Sequence, residues 1–346
     1  MEMVLEENLD KTAERNEFFF DVPFCFNTDK VDKVLFNLFV NLSCYLCVAI
    51  PCIVLTNSHI VGVLHYICLY VFLFERFALG LHFATHRKVA NHVLINSLPH
   101  LMTPFFGIPC GLYRMHHILI HHKNGNEDPA DISSTEMYQR DNWFHLFLYC
   151  FRFLFWSLLE IPWTMLQQQG LYEAFKASLL IFVQLFLLYY CAMVNFVFFL
   201  WIFFLPAVTS PVLLAWGNWC QHIFIDQTQP SSPYSITYNV ISSKMNQRTF
   251  NDGYHICHHL SPACHWYDLP LLFESKLQEH IDNRSLIFIN SSFLHVGYCV
   301  MTQNYDELDN HFIFLANTNL TKKEREELLR ERLRPVFRWK NGTKVQ

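Results

Sequence analysis

Uncharged apolar runs of membrane length alternate along this chain with short polar joints. The run from Val34 to Ile53 carries no charged residue over about twenty positions, the length a helix needs to cross about 30 Å of hydrocarbon. A short uncharged joint, Leu55 to His59, leads into a second apolar run from Ile60 to Gly80, so the two predict a helical hairpin. A third apolar region, Phe175 to Cys220, is about twice the length of one span and predicts a second hairpin. Its turn is placed near Asn195, with Pro206 and Pro211 as kinks in the returning helix, or else at Pro206 to Pro211 itself. Lys11, Arg15, Lys30 and Lys33 precede the first span, and Arg87 and Lys88 follow the second. Basic flanks stay on the cytoplasmic side, which puts both ends of the hairpin there.

Two further hydrophobic segments are expected not to cross. His92 to Tyr113 is broken by Pro99, Pro104, Gly107, Pro109 and Gly111, and irregular backbone survives at membrane depth only where protein shields it. It reads as re-entrant or interfacial. Trp143 to Leu166 sets Arg152, Glu160 and Pro162 among aromatic residues, as in an amphipathic helix lying at headgroup level. Near the C-terminus, Asn319 to Arg334 is densely charged, and Thr321 and Glu324 have capping-box spacing, so a solvated helix is expected. The fold class expected is therefore all-α: four transmembrane helices in two hairpins with a cytosolic helical cap. The organisation expected is a cytosolic segment 1–33, a membrane domain 34–268 and a cytosolic region 269–346.

Composition agrees with this reading. Of 346 residues 52% are hydrophobic and only 16% charged, where soluble domains carry about a quarter charged, and 34 are Phe. A net charge of −5 leaves no basic surplus for a nucleic-acid partner. The twelve Cys are scattered, several inside apolar runs, and read as small buried hydrophobes. Cys44 and Cys47 have metal-knuckle spacing without the second pair that such sites need. Residues 1–15 are polar and mixed in charge, so no cleaved signal peptide is expected.

What composition does not explain is 19 His beside 10 Gly. His82 and His86 lie at i and i+4 just past the second span, in the sequence HFATH. Residues 116–122 read HHILIHH, in which His117, His121 and His122 form H-x3-HH, and residues 255–259 read HICHH, in which His255, His258 and His259 form H-x2-HH. All three groups flank membrane runs on the inferred cytoplasmic side. Neutral imidazole suits iron, copper, zinc and nickel, and eight imidazoles exceed what one ion can use, so two metals are expected. No H-E-x-x-H occurs, which disfavours a zinc protease, and no Glu-x-x-His occurs, which disfavours a carboxylate-bridged di-iron bundle.

With these three boxes in order, from about Val34 to Asp268, the chain resembles the integral-membrane fatty acid desaturase superfamily. Within it the acyl-CoA branch carries an Asn-x3-His at the cytoplasmic end of the last span, matched here by Asn218 and His222 in GNWCQH. Lys123 and Asp128-Pro129 after the second box, and Asp252-Gly253-Tyr254 before the third, also match that branch. Box one has three intervening residues where the acyl-CoA enzymes have four, and box three opens with His255 where front-end desaturases have Gln. No His-Pro-Gly-Gly signature of a fused haem domain is present.

The resemblance implies a di-iron centre held by His82, His86, His117, His121, His122, His222, His255, His258 and His259, with Asn218 acting through water. It implies O2 as co-substrate, a lipid or acyl chain as substrate and residence in the endoplasmic reticulum. It also implies electrons from a separate donor, a small b-type haem cytochrome with its reductase. The activity implied is desaturation; hydroxylation at the same site and a non-catalytic metal-binding membrane protein are the alternatives. His116 is expected beside the ligands. Glu75, an ionisable group near the end of an apolar span, is expected either to hold a ligand histidine or to pair with a neighbouring base. His59, His65, His92, His100, His145, His265, His280, His295 and His311 have no box spacing and read as structural or solvated.

Overall fold

A computed structural model describes residues 32–315, 320–340 and 343–345. Readings that fall on residues 1–31 lie outside these, as do Asn319 and Asn341, two of the N-x-S/T acceptor motifs (with Asn283 and Asn290) that are expected to carry no glycan if both termini are cytoplasmic.

The first apolar run forms helix α1, Lys33–Thr56. Asp32 caps it, its Oδ1 accepting from the Leu35 N–H at 3.0 Å, and Asn57 ends it in the left-handed region. The second run forms α2, His59–His86, whose 28 residues extend about 42 Å. That exceeds the hydrocarbon thickness by about 12 Å, so HFATH stays helical beyond the apolar stretch. A helix α3 over Val93–Met102, a 3-10 turn over Thr103–Phe106 and tight turns at Gly107 and Gly111 fill the Pro/Gly-rich segment. Gly107 has φ +73°, and a Cβ there would stand 2.3 Å from the Pro206 carbonyl carbon. The turn at Gly107 thus packs directly on the Pro206 backbone, an approach that only glycine allows.

Helix α4 covers 112–124 and changes to π geometry over His117–His121. Helix α5, Trp143–Gln168, is followed by α6, Leu171–Val194, and α7, Phe196–Gln221. The turn of the second hairpin is at Asn195, whose side chain caps α7 by accepting from the Phe198 N–H at 2.9 Å. Pro206 and Pro211 lie inside the returning helix, preceded by a π segment over Phe199–Phe204 that absorbs the missing proline N–H.

Among the described residues five helices are long and apolar enough to cross a membrane: α1, α2, α5, α6 and α7. The count is one more than the four expected, because the Arg152 and Glu160 that mark α5 as interfacial do not shorten it as a helix.

The described residues are mostly helical, as expected, with few strands. A small mixed sheet is present, with β1 (Asn239–Ile241) parallel to β2 (Leu286–Ile289) and β2 antiparallel to β3 (Phe312–Phe314). Runs of three or four residues are too short to show a period of two. Between the strands come α8 (Lys244–Arg248), α9 (His255–Leu260), α10 (Leu269–Ser275), α11 (Leu277–Asp282), α12 (Phe293–Met301) and α13 (Tyr305–His311). The charged helix α14, Lys322–Glu331, carries the expected capping box between Thr321 and Glu324.

The described residues divide into two compact units. The first comprises 32–119 and 154–214, the second 120–153 and 215 onward. In the second, Tyr138, Tyr149, Trp219, Phe224, Tyr238 and Phe288 form a buried aromatic core. Arg140 is fully buried beside it and donates to the carbonyls of Thr135, Glu136, Tyr138, Ile223, Arg332 and Arg334. One guanidinium thereby ties the segment after box two to the segment after α7 and to the C-terminal strands of chain beyond α14.

Candidate metal centre

In the first unit, the helical continuation of α2 places His82 and His86 one turn apart, and His117 on α4 meets both. His117 Nε2 is 2.9 Å from His86 Nε2, and the His82 and His117 rings are 4.5 Å apart, edge to face. Six-coordinate metals with bonds of about 2.1 Å hold adjacent nitrogens about 3.0 Å apart, so the spacing suits ligation. Tyr113 stacks on the His117 ring at 5.4 Å. His116, the neighbour of His117, is half-buried, and Glu75 is half-buried on α2.

In the second unit, the π segment of α4 turns His121 and His122 toward different partners. His122 Nε2 is 3.1 Å from His258 Nε2. The ligand atoms of His121, His222 and His259 lie within 4.8 Å of one another. The ring of His255 is 4.9 Å from that of His259 and 5.3 Å from that of His222. The structure thus gathers the nine histidines into local groups: His82, His86 and His117; His122 and His258; and His121, His222, His255 and His259.

The outer ring nitrogens are tied down in a way that frees the inner ones. His222 Nδ1 donates to the Ile236 carbonyl at 2.9 Å, so its Nε2 presents a lone pair. His121 Nδ1 is 2.7 Å from Asp131 Oδ2, and Asp131 is fully buried. Asp131 Oδ1 in turn accepts from the Ser133 N–H at 2.8 Å and the Ser133 hydroxyl at 2.6 Å. Such outer contacts fix the tautomer of a ligating imidazole and raise its basicity. Burial, and then the neighbouring rings of His121 and His255, push the pKa of His222 well below the usual value, which keeps it neutral.

Whether a metal fits is decided by what these atoms lack. The Nε2 atoms of His222 and His259 are buried and have no hydrogen-bond partner. Buried polar nitrogens are rarely left so, and a cation between their lone pairs satisfies both at once.

Asn218 lies one turn before His222 on α7. Its Nδ2 donates to the Ser133 carbonyl at 3.0 Å and to the Tyr149 hydroxyl at 2.7 Å, and that hydroxyl donates to the same carbonyl at 2.8 Å. Box three is aligned through its backbone, with the Ile256 N–H donating to Asn239 Oδ1 at 2.9 Å. A Cβ on Gly253 would stand 2.2 Å from the Val240 carbonyl oxygen, so the step before the box accepts only glycine.

Asp131, Ser133, Tyr149 and Asn239 are absent from the sequence-based candidates. Asp131 had a visible signal, a carboxylate ten residues after His121 in an otherwise uncharged stretch, Ala130 to Thr135. Tyr149 and Asn239 had none, because only the fold brings them to the site.

Clustered, mostly buried imidazoles among helices long and apolar enough to cross a membrane could hold metal ions. A scan against family models matches residues 58–287 to the fatty acid desaturase family. The chain belongs to that family, and it is accordingly an oxidoreductase of the desaturase type. No curated protein and no solved structure matches it.

Proposed function

We propose that the chain is a lipid acyl desaturase that uses O2 and externally supplied electrons. The observation that supports the reading best is the group of His121, His222 and His259, whose ligand atoms lie within 4.8 Å of one another inside a match to the desaturase family. Nine imidazoles, those of His82, His86, His117, His121, His122, His222, His255, His258 and His259, would hold two irons. Two irons, when bound, supply the oxidising power toward an unactivated C–H bond.

The chain's own residues do the rest. Asp131 and the Ile236 carbonyl hold the Nδ1 protons of His121 and His222, keeping each Nε2 free to ligate. Asn218, anchored through its amide nitrogen to Ser133 and Tyr149, is assigned to orient a water through its remaining oxygen. His116 and Glu75 are assigned to support neighbouring ligands. Burial of His82, His117, His121, His222, His255 and His258 excludes bulk water. One hydrogen leaves each of two adjacent carbons, and with two electrons and two protons from outside O2 ends as two waters. No haem, flavin or nicotinamide motif occurs in the chain, so the electrons are assigned to a small b-type haem cytochrome and its reductase on the cytoplasmic face of the endoplasmic reticulum.

Lipid profiling of expressing cells tests the reading. A product two mass units lighter than its substrate, lost together with bound iron in His121→Ala and His258→Ala, is expected. A product heavier by one oxygen would replace desaturation by hydroxylation. Unchanged lipids with full occupancy by zinc would make the chain a non-catalytic metal protein.

A further inference from the structure

Beyond the stretch matched to the family lies a second kind of donor cluster. Helices α12 and α13 face each other with His295 on the first and Glu307 and His311 on the second, the latter pair one turn apart. Glu307 Oε1 is 3.3 Å from His311 Nε2 and 3.9 Å from His295 Nε2, and the three ligand atoms all lie within 4.8 Å of one another. A tetrahedral ion with bonds of about 2.1 Å asks for about 3.4 Å between donors.

The atoms facing away from this centre are already engaged. His311 Nδ1 donates to the Ile289 carbonyl at 2.9 Å, which leaves Nε2 as the ring nitrogen facing Glu307. His295 Nδ1 is held by the Ser291 hydroxyl at 2.9 Å, and Glu307 Oε2 accepts from Asn310 Nδ2 at 3.2 Å. A divalent cation between these inner atoms would take the ring nitrogens of His295 and His311 and Oε1 of Glu307 as donors. Unlike the box histidines, these side chains reach solvent, being 38%, 41% and 20% exposed for His295, Glu307 and His311.

We infer that His295, Glu307 and His311 form a third metal site, separate from the histidine boxes, that takes Zn2+. The ion would join α12 and α13 to the end of β2. The neighbouring strand of the same sheet, β1, carries Asn239, which holds the backbone of box three. The site is thus placed to brace the frame behind the boxes without touching them.

The test uses the full-length chain purified in detergent with its iron, equilibrated with buffered free Zn2+, and counts zinc and iron per chain. Wild type is expected to hold one zinc more than His295→Gln and Glu307→Gln, with iron equal in all three. Zinc is also expected to raise the unfolding temperature of wild type. Equal zinc in wild type and both variants would overturn the inference. So would wild type whose unfolding temperature ignores zinc, a readout that does not depend on whether the variants fold. Iron content reports the desaturase centre separately, so failure of that reading would not be mistaken for failure of this one.

Discussion

Replacing Asp131 by Asn tests whether ligand geometry is set from outside the metal centre. Asp131 accepts three hydrogen bonds: from His121 Nδ1 at 2.7 Å, from the Ser133 N–H at 2.8 Å and from the Ser133 hydroxyl at 2.6 Å. Asparagine can accept on one side only. The Ser133 N–H is backbone and cannot change, so the amide oxygen stays with it and the NH2 turns to His121. His121 must then offer a lone pair at Nδ1 and carry its proton on Nε2, the wrong tautomer for ligation. The Ser133 hydroxyl, 3.1 Å from His121 Nδ1, can replace part of the lost contact. The expected result is iron binding weakened about 10- to 100-fold, or about 1.4 to 2.7 kcal/mol, with turnover falling in step. Iron release to a chelator measures this, with the unfolding temperature as a control on the fold. Wild-type release rates and activity in a normally folded Asp131→Asn protein would refute the argument.

Three further outcomes follow from residues away from the ligands. Arg140→Met removes a buried cation, whose pKa burial lowers to about 9 and which is therefore still charged at pH 7, and it orphans several carbonyls. A loss of at least about 3 kcal/mol is expected in unfolding experiments, with Arg140→Lys intermediate. His280 is fully buried, and burial lowers its pKa to about 4, so it is neutral in the fold and binds a proton more readily when unfolded. Stability from this group is complete above pH 6.5 and is lost as pH falls toward 4. Between pH 7 and pH 5 wild type should lose about 2 kcal/mol that His280→Asn does not. Glu75→Gln should lower iron affinity about tenfold if its carboxylate holds a ligand ring; normal insertion with wild-type iron and activity would assign it to setting helix depth instead.

The sequence exposes what repeats and hides what meets. Both hairpins are legible because length and absence of charge are local properties, and the proline pattern leaves the second turn at Asn195 or at Pro206 to Pro211, which the structure resolves in favour of Asn195. The histidine boxes are legible because three spaced groups occur in order in a chain of 19 His, although each spacing alone is weak. The small sheet was hidden, since Asn239–Ile241 and Phe312–Phe314 pair only through contacts distant in sequence. The Arg140 hub was hidden for the same reason: its acceptors come from residues 135 to 334. His295 and His311 looked solvated because they sit sixteen positions apart, and only two facing helices bring their rings to 5.2 Å.

Length and composition admit α5 as a crossing helix, but the position of the ligands argues against it. Three helices, α5, α6 and α7, separate His121 from His222 along the chain. If all three crossed, the two residues would stand on opposite faces of the membrane, yet their rings are 5.1 Å apart. An even number must cross. In the four-span topology we propose, the helix left out is α5, the least apolar of the three, which carries Arg152 and Glu160 among its aromatic residues, as a helix at headgroup level does. Tyr149 on its inner side hydrogen-bonds Asn218 and Ser133, which keeps its first half beside the ligands. A glycan acceptor on a flexible insert at Gly170, after α5, should therefore stay unmodified, whereas the same insert at Asn195, between α6 and α7, should be glycosylated. The native acceptor motifs at Asn283 and Asn290 should also carry no glycan. Modification at Gly170 would make α5 a span and would break the four-span topology with both termini cytoplasmic.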